Sequence, residues 1–352
     1  MTTEVLPGAA GAEPLTAALR KAGALGKGRV AAVTVESARD TILSRIIRLR
    51  LVYDGAASGA PASLILKMDR PDRAELNAGG RREVDFYRGI TPASPAGLVP
   101  RCFEAAWDDT TKAWHLLLED FSDSHVVAEA WPLPPSLERL RAIIAARARF
   151  HAAWWDDPRL GVAIGTWADA AQIAEHQRRF ATQYARFSDF LGDRLPRERR
   201  NLFERYMAAA PRLASRYASR RDMTIVHGDA HVWNCLLPRD GGDDIRLFDW
   251  DSWRADTASD DLAYMMALHW YPDYRREAER PLLDHYHAAL LAHGVRGYDR
   301  AALDNDYSLS VLSQITIPVW QHAYGIPPVI WWNNLERTML AVDDLGCREL
   351  LG

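Results

Sequence analysis

The stretch TIVHGDAHVWNCLLP, residues 224 to 238, decides how this chain reads. A short apolar run, Thr224 to Val226, breaks into His227, Gly228, Asp229, Ala230 and His231. Val232, Trp233 and Asn234 follow before the chain turns apolar again. Three chemistries suit such a break between strand-like runs: a metal cluster, acid–base work, or the polar closure of a buried turn. Further on, NCLLP and IRLFDW are separated by RDGGDD, which reads as a hairpin turn. That hairpin ends on Asp249, and its fold-back predicts that Asn234 and Asp249 approach each other.

Bulk properties bound what surrounds this hairpin. A chain of 352 residues is long enough for two domains or lobes, each with its own core. It is 48% hydrophobic and 26% charged, the composition of an ordinary globular protein. A net charge of -4 gives no field that favours nucleic acid or a membrane surface, and neither partner is expected. Cys102, Cys235 and Cys347 are far apart, which excludes a disulfide framework or a zinc–thiolate motif and fits a reducing cytoplasm. MTTEVLPGAAGAEP has neither the basic nor the apolar segment of a signal peptide. Tyr307 to Leu335 lacks acidic and basic residues, but prolines, glutamines and a histidine interrupt it. A buried helix pair with a Pro-rich turn is expected there, not a membrane span.

Residues 1–28 are Ala/Gly-rich and weakly patterned, and are expected to form a loosely structured extension. In SRIIRLRLVYDG, Ile47, Leu49, Leu51 and Tyr53 alternate with Arg48, Arg50 and Val52, the period of a half-exposed strand. ASLILKM and AWHLLLEDF read as two further strands, with the helix GGRREVDFYRGI between them. After WPLPPS the texture becomes helical. Ser136 is placed to cap a long helix whose Leu137, Leu140, Ile144 and Ala148 share a face. The expected fold class is α+β: a small antiparallel N-terminal lobe over residues 1–120, then a larger, mostly helical lobe over 121–352.

Two polar residues interrupt these strands. Lys67 lies in the apolar run SLILKM, where a charge is costly unless paired. Glu83, on the next helix, is its natural partner; a strand-end lysine reaching water is the other reading. Asp249 follows IRLF directly, over a site or in a simple turn. Taken together, Asn234 and Asp249 offer hard oxygen donors without thiolates, a set that suits Mg²⁺ beside substrate phosphates. Asp229 is then free to accept a hydrogen bond from an incoming hydroxyl as general base. Lys67 would neutralise phosphate oxygens, and Glu83 would hold it. Lys, Glu, Asp, Asn and Asp thus stand in the order of a phosphoryl-transfer site.

HGDAHVWN followed by FDWD resembles the HGDxxxxN…D pattern of the aminoglycoside phosphotransferase, choline kinase and ecdysteroid-kinase-like superfamily. REVDFYR, HLLLEDF and SDDLAYM resemble its glutamate helix, hinge strand and acidic helix start. ARFHAAWW is similar to the long helix of the ecdysteroid-kinase-like branch. The resemblance runs from about residue 30 to residue 270 and implies a two-lobed protein-kinase-like fold. It also implies an enzyme that uses ATP and Mg²⁺ to phosphorylate a small-molecule hydroxyl. Carried over by position, Asp229 is the catalytic aspartate, and Asn234 and Asp249 are the metal ligands. Lys67 and Glu83 are the phosphate-binding lysine and its partner. Leu118, Glu119 and Asp120 form the hinge for adenine. His231 reaches the γ-phosphate, His227 braces the loop, and Asp261 caps the helix DLAYMMALHW. ESARDTILSR, where a loop should cover the phosphates, has no glycine, and Ser44 or Thr41 is expected to add a hydroxyl there. That departure leaves a second reading, a nucleotide-binding pseudokinase-like regulatory protein. A third, a metallohydrolase, would use His227, Asp229 and His231. Asp251, Trp270, Trp320, Trp331 and Trp332 are expected to line a pocket for a bulky, partly apolar acceptor.

Overall fold

The computed structural model describes residues 7–41, 44–70, 72, 77–128 and 133–352. Along the chain run helix α1 (Ala12–Lys21), strands β1 (Arg29–Asp40), β2 (Ser44–Asp54) and β3 (Ser63–Asp69), helix α2 (Asn77–Asp85), and strands β4 (Cys102–Trp107), β5 (Trp114–Glu119) and β6 (His125–Val127). Then come α3 (Leu137–Ala153), α4 (Ala170–Leu191), α5 (Arg197–Leu213), α6 (Ser215–Ala218), β7 (Thr224–Val226), β8 (Cys235–Pro238), β9 (Arg246–Leu247) and β10 (Arg254–Asp256). The chain ends in α7 (Ser259–Ala263), α8 (Pro272–Ala292), α9 (Arg300–Ser313), α10 (Thr316–Ala323) and α11 (Pro328–Asp344). These elements form two compact units, Met1–Val127 with Cys235–Trp253, and Ala128–Asn234 with Arg254–Gly352.

The first unit is built on a five-stranded sheet in the order β1-β2-β3-β5-β4, antiparallel throughout. Its alternation is the one the sequence announces: Ile47, Leu49 and Leu51 are buried while Arg48 and Arg50 point away. Two expectations fail here. Residues 7–28 are not a loose extension, because α1 buries Leu15, Ala18 and Leu19 in the same core as Leu49, Leu64 and Leu66, and residues 1–6 of that expectation lie outside the described residues. Residues 36–40 are not a loop, because β1 runs on to Asp40 and pairs with β2 as far as Arg45. α2 continues as a π-helical turn over Phe86–Ile90. Its Gly80 has a packing reason: a Cβ there would lie 2.1 Å from the Trp114 indole. The hairpin after Asn234 forms as expected, β8 pairing with β9 and also with β6.

The second unit is mainly helical. The hydroxyl of Ser136 accepts from Arg139 N–H and opens α3, on which Leu140, Ile144 and Ala148 are buried while Leu137 is left exposed. Asp169 opens α4 with a reciprocal capping box to Gln172. β7 and β10 form a two-stranded antiparallel ladder. The uncharged stretch in the C-terminal third folds as the end of α9 and the pair α10 and α11, joined at Gly325 and Pro327. Among the described residues no helix is long and apolar enough to cross a membrane.

Candidate active site

β7 delivers the chain into the HGD turn, and the turn needs its glycine: Gly228 has φ +79°, a conformation that side chains disfavour. Asp261, 1% exposed, anchors this turn from α7. It accepts from the backbone N–H of His227 at 2.9 Å and of Gly228 at 3.0 Å. Arg147 and His151 of α3 contact the same carboxylate at 3.4 and 3.2 Å, and Arg147 also donates to the Ala230 carbonyl at 2.7 Å. Burial opposes the Asp261 charge, but the hydrogen bond from His151 and the Arg147 guanidinium hold its carboxyl well below the usual carboxylate range. The expected capping role is therefore corrected. α7 starts without a side-chain cap, and Asp261 spends its oxygens on the turn. His227 is fully buried and accepts from Asp229 N–H through Nδ1 at 3.3 Å, which makes it a brace.

Held this way, Asp229 has both carboxylate oxygens in hydrogen bonds. The Tyr264 hydroxyl donates to Oδ1 at 2.6 Å, and the Asn234 amide donates to Oδ2 at 3.0 Å and to the Asp229 carbonyl at 2.9 Å. His231 Nε2 lies 3.4 Å from Oδ2. Burial works against ionisation, yet His231 and the hydrogen bonds keep the Asp229 carboxyl strongly depressed, as an anion. Both bonds made by Asn234 use its nitrogen, which leaves its amide oxygen as the atom to offer a cation. Rings wall this carboxylate. His231, Trp233, Tyr264 and His269 contact one another with centroids 4.9–6.5 Å apart. His269 is pushed down to about 3, first by burial and then by neighbouring His231, so it is neutral, and it donates through Nδ1 to the Tyr264 carbonyl at 2.8 Å. Tyr264 was missed in the sequence: it opens a π-helical turn, Tyr264–Leu268, whose register no local pattern signals. Among the described residues no three His, Cys, Asp or Glu side chains are arranged to hold a metal, so the trio His227, Asp229 and His231 does not form one.

The first unit carries the other set. Lys67, 8% exposed on β3, reaches Glu83 of α2 at 2.6 Å and also donates to Asp249 Oδ1. Burial opposes its charge, but Asp249 and Glu83 outweigh burial and hold Lys67 protonated. Glu83, 1% exposed, is pushed up by burial against the pull of Lys67. Asp249 takes φ +69°, a left-handed conformation that Asp tolerates better than most residues. Trp250 behind it is buried and stacked on Phe86, centroids 4.1 Å apart, so its bulk serves as flooring. Asp251 lies with this charged set, its side chain beside Gly79.

The remaining expected positions lie as follows. Ser44 is buried, and its hydroxyl lies 3.0 Å from that of Thr41 within the β1–β2 turn. Leu118 is inside the ladder on both sides, and Glu119 N–H already donates to the Arg101 carbonyl at 2.8 Å. Asp120 accepts from Arg48 Nε at 2.6 Å. Trp270 is buried against Tyr274 and Trp331 against Phe187, so both are core, and Trp332 is half-buried beside Trp331. Trp320 is 47% exposed.

The sequence model of the Ecdysteroid kinase-like family matches residues 163–295. No curated protein matches the sequence. Among solved structures, a candidate aminoglycoside phosphotransferase from Ralstonia eutropha JMP134 is similar at a TM-score of 0.57 and 15% identity, covering 96% of this chain and 97% of its own. A microcompartment-associated aminopropanol kinase follows at 0.54 and 12%, with 94% and 96% covered. An ethanolamine kinase of Plasmodium vivax is similar at 0.52 and 11%, with 89% and 83% covered. The similarity is thus to the superfamily that the HGD and FDWD motifs resemble, and to its ecdysteroid-kinase-like branch. The chain has the protein-kinase-like fold, and its residues 163–295 match the sequence model of the ecdysteroid kinase-like family.

Proposed function

We propose that this chain is a small-molecule kinase that moves the γ-phosphoryl group of ATP to the hydroxyl of a bulky, partly apolar alcohol. The observation that carries this reading is Asp229: an anionic carboxylate fixed through both oxygens, on a turn held by Asp261, inside the segment that matches a kinase-like family. Asp229 accepts a hydrogen bond from the acceptor hydroxyl and takes its proton as the oxygen attacks phosphorus. Lys67 neutralises phosphate oxygens, with Glu83 keeping its ammonium in place. The free amide oxygen of Asn234 and the carboxylate of Asp249 are the hard donors that fit Mg²⁺. Mg²⁺ when bound would neutralise phosphate charge. Adenine is assigned to the backbone around Leu118–Asp120, and His231 to the transferred phosphoryl group. The ring wall of Trp233, Tyr264 and His269 supports an acceptor with apolar surface.

A coupled ADP-release screen over alcohols, sugars and antibiotics tests this. We expect Mg²⁺-dependent turnover with at least one acceptor, and a drop of about 10²–10⁴-fold in Asp229→Ala. Full turnover in that variant would remove Asp229 from the chemistry. The tied hydroxyls of Thr41 and Ser44, on a turn whose sequence lacks glycine, favour the regulatory alternative. Thermal shift read beside turnover separates the two: ATP with Mg²⁺ at 100-fold its Kd stabilises a binder by about 2.7 kcal/mol. Such a shift without ADP release on any acceptor would support the regulatory reading instead.

A further inference from the structure

Within the second unit, α4, α5, α6, α9 and α10 enclose an open cavity of about 740 Å³, inside the range that holds a drug-sized ligand. None of its lining residues belongs to the two sets described above. Its apolar surface comes from one helix face after another: Phe180 of α4, Tyr206 of α5, Tyr217 of α6, Leu309 of α9, and Ile317 and Trp320 of α10. Trp320 keeps 47% of its surface exposed, an unusual amount for the largest apolar side chain.

The polar groups lining this surface are basic or neutral. His176, Gln177, Arg178, Arg179 and Gln183 contribute from α4, Ser313 from α9 and Thr316 from α10, and among the described residues no Asp or Glu lines the cavity. Arg178 is paired with Glu175 at 2.7 Å. Arg179 is exposed and has no carboxylate partner among the described residues. The Tyr217 hydroxyl also makes no hydrogen bond among the described residues, and burial, followed by the charges of Asp256 and Asp260 outside the lining, raises its pKa strongly, so it stays a neutral donor. An apolar surface edged by an unpaired cation and an uncommitted donor, with no acid, complements an apolar body carrying one anionic head. The same lining repels a polycation, whose amines would find no acceptor charge.

We propose that this cavity is a binding site for a small amphipathic carboxylate, with its apolar body along Phe180, Tyr217 and Trp320 and its head at Arg179. The proposal is independent of the kinase reading, and its test needs no turnover. Laurate is titrated into the full-length protein below its micellar concentration, with binding followed by calorimetry and by indole emission. Dodecyltrimethylammonium, of equal chain length and opposite charge, is the control.

Laurate should bind saturably at one site, at least tenfold more tightly than the cation. Arg179→Glu, an exposed change that leaves the fold intact, should weaken laurate about two- to fivefold, the worth of one exposed charge contact, and narrow the gap to the cation. Ala210→Trp should fill the cavity and abolish binding. Should that variant not fold, Trp320→Ala, at an exposed site, replaces it and should weaken laurate and diminish the emission change. Equal affinity for the two amphiphiles would overturn the proposal. So would laurate binding that neither Arg179→Glu nor the cavity variant alters, or no saturable binding up to about 1 mM.

Discussion

Lys67 shows how much of a site one side chain can declare. A lysine in SLILKM is affordable only with partners, and the structure supplies two carboxylates, Glu83 at 2.6 Å and Asp249. The dependence runs both ways, because Glu83 is 1% exposed and has Lys67 as its cation. Lys67→Met should therefore destabilise the protein by about 3–5 kcal/mol, the cost of leaving a buried carboxylate unpaired. The double variant Lys67→Met with Glu83→Gln should recover most of that loss while remaining unable to neutralise phosphate. Urea unfolding of both variants measures this. If the double variant is no more stable than Lys67→Met alone, the two residues are not coupled as the geometry implies.

At the scale of elements, the HGD turn is the clearest case. Its loop, the following hairpin and the Lys67 strand were legible because each breaks a simple rule: polar residues interrupt strand-like runs. Tyr264 was not legible, since its bond to Asp229 spans 35 residues and depends on a π-helical register. Nor was α1, whose Ala-rich sequence carries too few large apolar residues to show a period, although Leu15 and Leu19 are fully buried. Asp261 was picked out for the wrong reason. An acid near a helix start suggests a cap, but only packing reveals that its oxygens reach the backbone of another segment. That difference is testable. A lost cap costs about 1 kcal/mol. Asp261→Asn instead leaves Arg147, 1% exposed, without its counter-charge, and should cost about 3–5 kcal/mol by chemical denaturation. A loss near 1 kcal/mol would return Asp261 to the capping role.

For the molecule as a whole, stability should carry the mark of one neutral histidine. His269 is 6% exposed in the ring cluster, and burial, followed by neighbouring His231, lowers its pKa to about 3. In the unfolded chain the same imidazole takes a proton near pH 6.5. Between those values the unfolded state binds the proton and the folded state refuses it. The contribution of His269 is therefore present above about pH 6.5 and is lost as pH falls, by at most about 1.4 kcal/mol per pH unit. Asp261, also depressed, acts in the same direction, but its loss begins only near the carboxylate range, around pH 4. Over the interval from about pH 6.5 to 4.5 the unfolding free energy should drop by roughly 2–3 kcal/mol on its account, while Glu83 and Asp260, whose carboxyls burial raises, act in the opposite direction in both proteins. His269→Asn keeps an amide donor for the Tyr264 carbonyl and cannot titrate. It should be less stable at neutral pH, through lost ring contacts, yet show a flatter curve across that interval. Urea unfolding at closely spaced pH values decides the matter: parallel curves for the two proteins would mean that His269 accepts its proton in the folded state.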